Sequence, residues 1–120
     1  MIRIALMTRP KKNSQQMIWT NGKPRLIQSK NYLQFEKDCG YFLNRYKLHI
    51  DYPINLKCTF YVSDRRKRDL TNLLNAIQDV LVKYDVIADD NYNVVASVDG
   101  SRVIYEKGRE ETVIEIEDYK

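Results

Sequence analysis

INLKCTFYVSDRRKRDLTNLLNAIQDVLVKYDVIADDNYNVV, residues 54–95, changes its hydrophobic period twice. Ile54, Leu56, Cys58, Phe60 and Val62 alternate with Asn55, Lys57, Thr59, Tyr61 and Ser63, the two-residue period of a strand with one buried face. From Leu70 the period lengthens. Leu70, Leu73, Leu74, Ile77, Val80, Leu81 and Tyr84 share one side at about 100° per residue, which predicts a helix from about Leu70 to about Tyr84. Asn72, Asn75 and Asp79 take the opposite side. Asp69 suits the N-cap, where a carboxylate meets free N–H groups and the positive end of the helix dipole. Asp89-Asp90 follows the helix, and Val94 to Val98 reads as the next strand.

The flanks add elements of both kinds. Ile2 to Met7 reads as a strand, and RPKKNSQQ, residues 9–16, as a polar basic loop. MIWT and RLIQS read as short strands around Asn21-Gly22, a strong hairpin signal because both residues tolerate positive φ. Ser29 is placed to cap a helix from about Lys30 to about Leu48, with Tyr32, Phe35, Cys39, Phe42, Leu43 and Tyr46 on one face. Within it, Gly40 marks a weak point or a close contact. Asp51-Tyr52-Pro53 breaks the chain. Ser101 to Tyr105 and Thr112 to Glu117 read as two further strands. The order is strands, helix, strand, helix, strands. That predicts an α+β (mixed α/β) fold, a small mixed sheet with two packed helices, in one domain over residues 1–120.

Composition narrows the classes. The hydrophobic content of 43% supports an ordinary core. No apolar run approaches a membrane span, and MIRIALMTRPKKN lacks the pattern of a secretory signal, so the expected address is the cytoplasm. Cys39 and Cys58, with no CxxC and a lone His49, read as buried free thiols. The net charge of +4 is segregated. Residues 1–30 hold seven Lys or Arg and no acid, residues 64–69 are DRRKRD, and residues 71–100 hold five acids and one base. A basic surface of this kind suits a polyanion such as nucleic acid.

Carboxylates distant in sequence are the usual ligands of Mg²⁺, a hard ion that takes one or two of them and leaves phosphate to complete its shell. Asp69 directly follows RRKR, so anion binder and metal ligand would be neighbours, an arrangement suited to phosphodiester hydrolysis. The plainer readings are Asp69 as a helix cap and Asp89-Asp90 as turn residues. Asp79 lies ten helical residues from Asp69, about 15 Å away, and reads as a solvated or subunit-contact residue.

RDLTNLLNAIQDVL followed by VIADDNYNVV resembles the RusA family of Holliday junction resolvases, whose signature is Asp-x-Asp-Asn-Leu-x-Lys at a helix start with Asp-Asp before the next strand. The basic RPKKN loop is also similar to the family's N-terminal stretch. The resemblance implies a small homodimer, often encoded by phages and prophages. It implies binding to four-way DNA junctions and symmetric, Mg²⁺-dependent cleavage. Position by position, Asp69 matches the first catalytic aspartate, Asn72 the asparagine, and Asp90 the third aspartate with Asp89 beside it. Two positions depart: Thr71 stands at the second aspartate and Asn75 at the lysine.

The reading is then specific. Asp69 and Asp90 are catalytic; Asp69, Asp89 and Asp90 hold Mg²⁺, or Mn²⁺ in its place. Lys11, Lys12, Arg65, Arg66, Lys67 and Arg68 hold the DNA backbone. Thr71, Asn72 and Asn75 are accessory candidates, as are Asp99 for the missing acid and Arg102 or Lys67 for the missing base. The expected partners are branched DNA and a second copy, with no membrane and no small-molecule cofactor, in a bacterial or phage-infected cell. Two rivals stand beside it: a branched-DNA binder with weakened cleavage, and a small RNA-binding or RNA-cutting protein suggested by nine tyrosines. Two routes could join Asp69 to Asp90. Residues 85–90 span about 20 Å if extended, enough to lead most of the way back. Alternatively a partner subunit supplies one acid.

Overall fold

The alternating stretch at 54–62 forms the central strand of the main sheet. The structure is a computed structural model and describes residues 1–10, 15–28 and 30–119. Its elements are β1 (Ile2–Ile4), β2 (Gln15–Thr20), β3 (Lys23–Gln28), α1 (Lys30–Leu43), β4 (Ile54–Val62), α2 (Leu70–Lys83), β5 (Val95–Ser97), β6 (Arg102–Tyr105) and β7 (Glu111–Asp118). The fold is α+β with a mixed sheet, as expected from the periodicities.

β7 lies antiparallel on one side of β4, with Cys58 opposite Ile114 and Phe60 opposite Thr112. β1 pairs antiparallel with the far edge of β7. On the other side β5 and β6 both run parallel to β4: β5 beside its start, Ile54 opposite Val95, and β6 beside its end, Val62 opposite Tyr105. Parallel neighbours require a crossover, and α2 supplies it. The chain leaves the carboxyl end of β4, returns along α2, and re-enters at the amino end of β4.

That route gives the sheet two unlike ends. At the carboxyl end of β4 lie residues 5–10, the loop at 63–69 and the 106–111 turn. At the amino end lie residues 50–53, 85–93 and 117–118, and Asp99. The return is pinned by backbone bonds: His49 N–H to Asp85 O at 2.9 Å, Ile50 N–H to Val86 O at 3.2 Å, and Ala88 N–H to Ile50 O at 2.8 Å. Both residues at the crossing, His49 and Asp85, take positive φ (47° and 60°). Their side chains meet at 2.6 Å, a bond that raises the His49 pKa.

This clasp explains why α1 stops at Leu43 instead of reaching Leu48: the chain must leave the helix to meet residues 85–88. Ser29, the expected cap of α1, lies outside the described residues. Gly40 marks the crossing of the two helices. A Cβ there would stand 2.8 Å from the Tyr84 ring, whose Oη donates to Glu36 O at 2.8 Å.

Tyr32, Phe35, Cys39 and Leu43 of α1, Leu73, Ile77, Val80 and Leu81 of α2, and the inward side chains of β4 and β7 share one core. Cys39 and Cys58 are buried free thiols, each pushed up to about 12 by burial. β2 and β3 stand apart as a two-stranded sheet around Asn21-Gly22. Among the described residues no helix is long and apolar enough to cross a membrane.

Candidate active site

Asp69 caps α2. Its backbone is extended (φ −103°, ψ 117°), and its Oδ1 accepts the Thr71 N–H at 2.9 Å. Capping does not exhaust the group: the carboxylate is exposed and has a second oxygen with which to meet a cation.

The basic loop before it is folded by its own charges. Arg68 forks onto Asp64, with Nη1 to Oδ1 at 2.8 Å and Nη2 to Oδ2 at 3.0 Å. Nη1 also donates to Arg66 O at 3.2 Å, and Nη2 reaches Met7 Sδ at 3.5 Å. The Arg66 N–H donates to Asp64 Oδ1 at 2.9 Å. Led by the Arg68 fork, these bonds hold the Asp64 carboxyl at about 2, below the usual range. Arg68, read from the sequence as a DNA contact, is therefore turned inward. Its side chain is only 13% exposed and ties the loop to Met7, in the segment after β1, and to Asp64. Arg65 lies over the Tyr105 ring at 4.8 Å and stays exposed, as do Arg66 and Lys67. Lys11 and Lys12 lie outside the described residues.

Asp89 and Asp90 occupy the turn before β5. Asp89 Oδ1 accepts the Asp90 N–H at 2.7 Å, and its Oδ2 accepts Asn91 Nδ2 at 3.1 Å. The Asp90 pKa is raised, first by burial, then by its hydrogen bond with Asp89 and the negative charge of Asp79. Asp79, assigned from the sequence to solvent or a subunit contact, thus acts on Asp90. The visible signal was its place on the polar face of α2. Its neighbour could not be read, because that depends on residues 85–90 folding back beside the helix.

One chain does not bring the two acidic stations together. Asp69 stands at the carboxyl end of β4 and Asp89-Asp90 at its amino end, separated by the 14 residues of α2, about 21 Å. The short route through residues 85–90 is closed because Val86 and Ala88 are bonded to Ile50. Among the described residues no three His, Cys, Asp or Glu side chains are grouped to hold a metal.

Thr71 and Asn75 are exposed on α2 and Asn72 is half-buried, so they mark a polar track from Asp69 towards Asp79. Asp99 does not reach Asp69. Its backbone N–H donates to Asn55 Oδ1 at 2.8 Å, its O accepts Asn55 Nδ2 at 3.1 Å, and it lines a cavity of about 450 Å³ with Lys57, Glu117 and Tyr119. Arg102, opposite Thr59 at the start of β6, is exposed.

An α+β chain with a carboxylate at a helix start, an exposed basic loop beside it and a second acidic pair before the returning strand has the groups needed to engage a phosphodiester. The chain belongs to the RusA endodeoxyribonuclease family, whose model, Endodeoxyribonuclease RusA, matches residues 8–117. Over 71 residues it is 38% identical to the crossover junction endodeoxyribonuclease RusA of Aquifex aeolicus (strain VF5), covering 59% of this chain and 54% of that protein. The match therefore spans about half the length of that relative.

Proposed function

We propose that this protein is a homodimeric, divalent-cation-dependent endodeoxyribonuclease that resolves four-way and other branched DNA in recombination and repair in the cytoplasm. The observation that carries this reading, beside family membership, is the exposed Asp69 cap at the end of a basic loop. Arg66 and Lys67 take the DNA backbone, with Arg65 beside them, and contribute no base specificity. The Asp64–Arg68 fork holds that loop in shape. The residues fit a hard cation by donor chemistry: Asp69, Asp89 and Asp90 offer carboxylate oxygen, and the crowding of Asp90 by Asp79 and Asp89 is relieved by positive charge. Mg²⁺ or Mn²⁺ bound there would polarise the scissile phosphate and lower the pKa of water.

Because the acids stand at opposite ends of one chain, the complete site needs two copies. Two α2 helices running antiparallel about a two-fold axis near Leu74 and Asn75 would set Asp69 of each copy towards Asp79, Asp89 and Asp90 of the other. Such an isologous pair carries two equivalent sites, which suits paired cuts in a symmetric junction. A second reading, a branched-DNA binder with weakened cleavage, is favoured by Thr71 and Asn75 at the departing positions. The test is a synthetic four-way junction incubated with and without Mg²⁺, in competition with linear duplex and structured RNA. Paired, Mg²⁺-dependent nicks support the nuclease. Junction binding without cleavage selects the binder, and preference for RNA overturns both.

A further inference from the structure

The β2–β3 hairpin is absorbed neither by the core nor by the site described above. Its register places Trp19 opposite Pro24 and Met17 opposite Leu26, while Thr20 faces Lys23 and Ile18 faces Arg25. Paired residues share a face and successive residues alternate. One face therefore carries Met17, Trp19 and Pro24, and the other carries Lys23 and Arg25. Trp19 is 71% exposed and Met17 60%. Exposed apolar side chains that adjoin on one face, unlike those scattered singly, mark interaction sites. The turn at the tip is tight, with Asn21 and Gly22 at φ 52° and 75°.

Arg9 and Asn31, on either side of the hairpin in sequence, line one cavity of about 230 Å³ with Met7 and Glu110. Met7 is also touched by Arg68. The hairpin thus springs from the end of the sheet that carries Asp69 and its basic loop. Trp19 lies four residues along β2, about 14 Å from the root.

We infer that this hairpin recognises the branch point of the DNA: Trp19 stacks on a base pair whose stacking is interrupted there, and Lys23 and Arg25 hold the adjoining phosphates. This rests on the branched-DNA reading and adds the element that distinguishes a branch from a duplex. Two observations favour DNA over a second protein copy. Residues 1–35 contain no acid, so the apolar face sits in a wholly basic segment, as a polyanion with exposed aromatic faces requires. The face is also small. An aromatic side chain buries about 150–250 Å², and Met17 and Pro24 beside it do not bring this to the roughly 800 Å² per partner of a stable interface. Linear duplex has no unstacked base pair except at its ends, so the contact is specific to branched DNA.

Trp19 is the single tryptophan of the chain, so its emission reports this contact alone. The protein is titrated, in EDTA to prevent cleavage, with a synthetic four-way junction and with hairpin-capped linear duplex of the same arm sequence. Binding is followed separately by anisotropy of a dye at one arm end. The expected result is quenched Trp19 emission and reduced acrylamide access on the junction, with neither on the duplex. Trp19→Ala should weaken junction binding about ten-fold and leave duplex binding unchanged, and Trp19→Phe should recover most of the loss. Unchanged emission at saturating junction would overturn the inference while leaving the branched-DNA reading intact. Equal loss of junction and duplex binding would also overturn it. So would an emission change that follows protein concentration without DNA, which would identify a second copy as the occupant. Failure of the wild-type protein to bind the junction, seen by anisotropy, would overturn both.

Discussion

Arg68 and Asp64 close the basic loop on itself, and the pair carries a definite pH signature. The folded carboxyl is held at about 2, against about 3.9 for an unperturbed aspartate. A depressed folded pKa contributes stability above the unfolded value, and that contribution is lost as pH falls through the folded one. The gap in urea midpoint between wild type and Asp64→Asn should be level from pH 5 upward and should close between about pH 4 and 2. A pH-independent gap would show that the fork does not stabilise the loop. Gly40 offers a second test. A Cβ there meets the Tyr84 ring at 2.8 Å, and the ring is tethered through Glu36 O. Overpacking of this kind costs about 1–3 kcal/mol, more than the roughly 1 kcal/mol that alanine gains in a helix. Gly40→Ala should therefore destabilise the wild type in thermal unfolding but stabilise a Tyr84→Ala background. The same sign in both backgrounds would exclude Tyr84 as the obstacle.

At the level of elements, the strand β4 and the helix α2 are joined by a loop whose bases have divided tasks. Arg66 and Lys67 face solvent, whereas Arg68 is committed to Asp64 and Met7. Each phosphate contact releases condensed counterions on binding. Replacing Arg66 and Lys67 together by Ala should lower the slope of log K against log salt for junction binding by about two. Arg68→Ala should act differently: a lower unfolding midpoint, with the salt slope of the folded protein little changed. A slope that falls only with Arg68→Ala would reverse this assignment.

For the whole molecule, the separation of Asp69 from Asp90 makes a complementation experiment decisive. Asp69→Asn and Asp90→Asn should each abolish junction cleavage while preserving binding, since each removes a carboxylate from a phosphate site. Co-expressed, the two variants form mixed dimers. If each site joins Asp69 of one copy to Asp90 of the other, every mixed dimer retains one intact site. Random pairing then restores about a quarter of the wild-type sites, read as single nicks rather than paired cuts. If both acids act within one chain, no cleavage returns.

The local elements could be read directly because periodicity belongs to contiguous residues. Alternation at 54–62 and the helical stripe at 70–84 specify β4 and α2 whatever lies around them, and Asn21-Gly22 specifies its turn by φ alone. The family was legible for the same reason, in the contiguous run from Asp69 to Val95. Features that depend on non-neighbouring segments were not. α1 ends at Leu43 because residues 48–50 must meet residues 85–88, a competition invisible in the helical pattern. Arg68 looked like its basic neighbours until the fold of the loop brought it onto Asp64. Asp79 acts on Asp90, and Asp69 and Asp90 stand apart, because the parallel crossover lays residues 85–90 at the amino end of β4. Sequence spacing sets how far a chain can reach, but the long-range backbone bonds to Ile50 set where it goes.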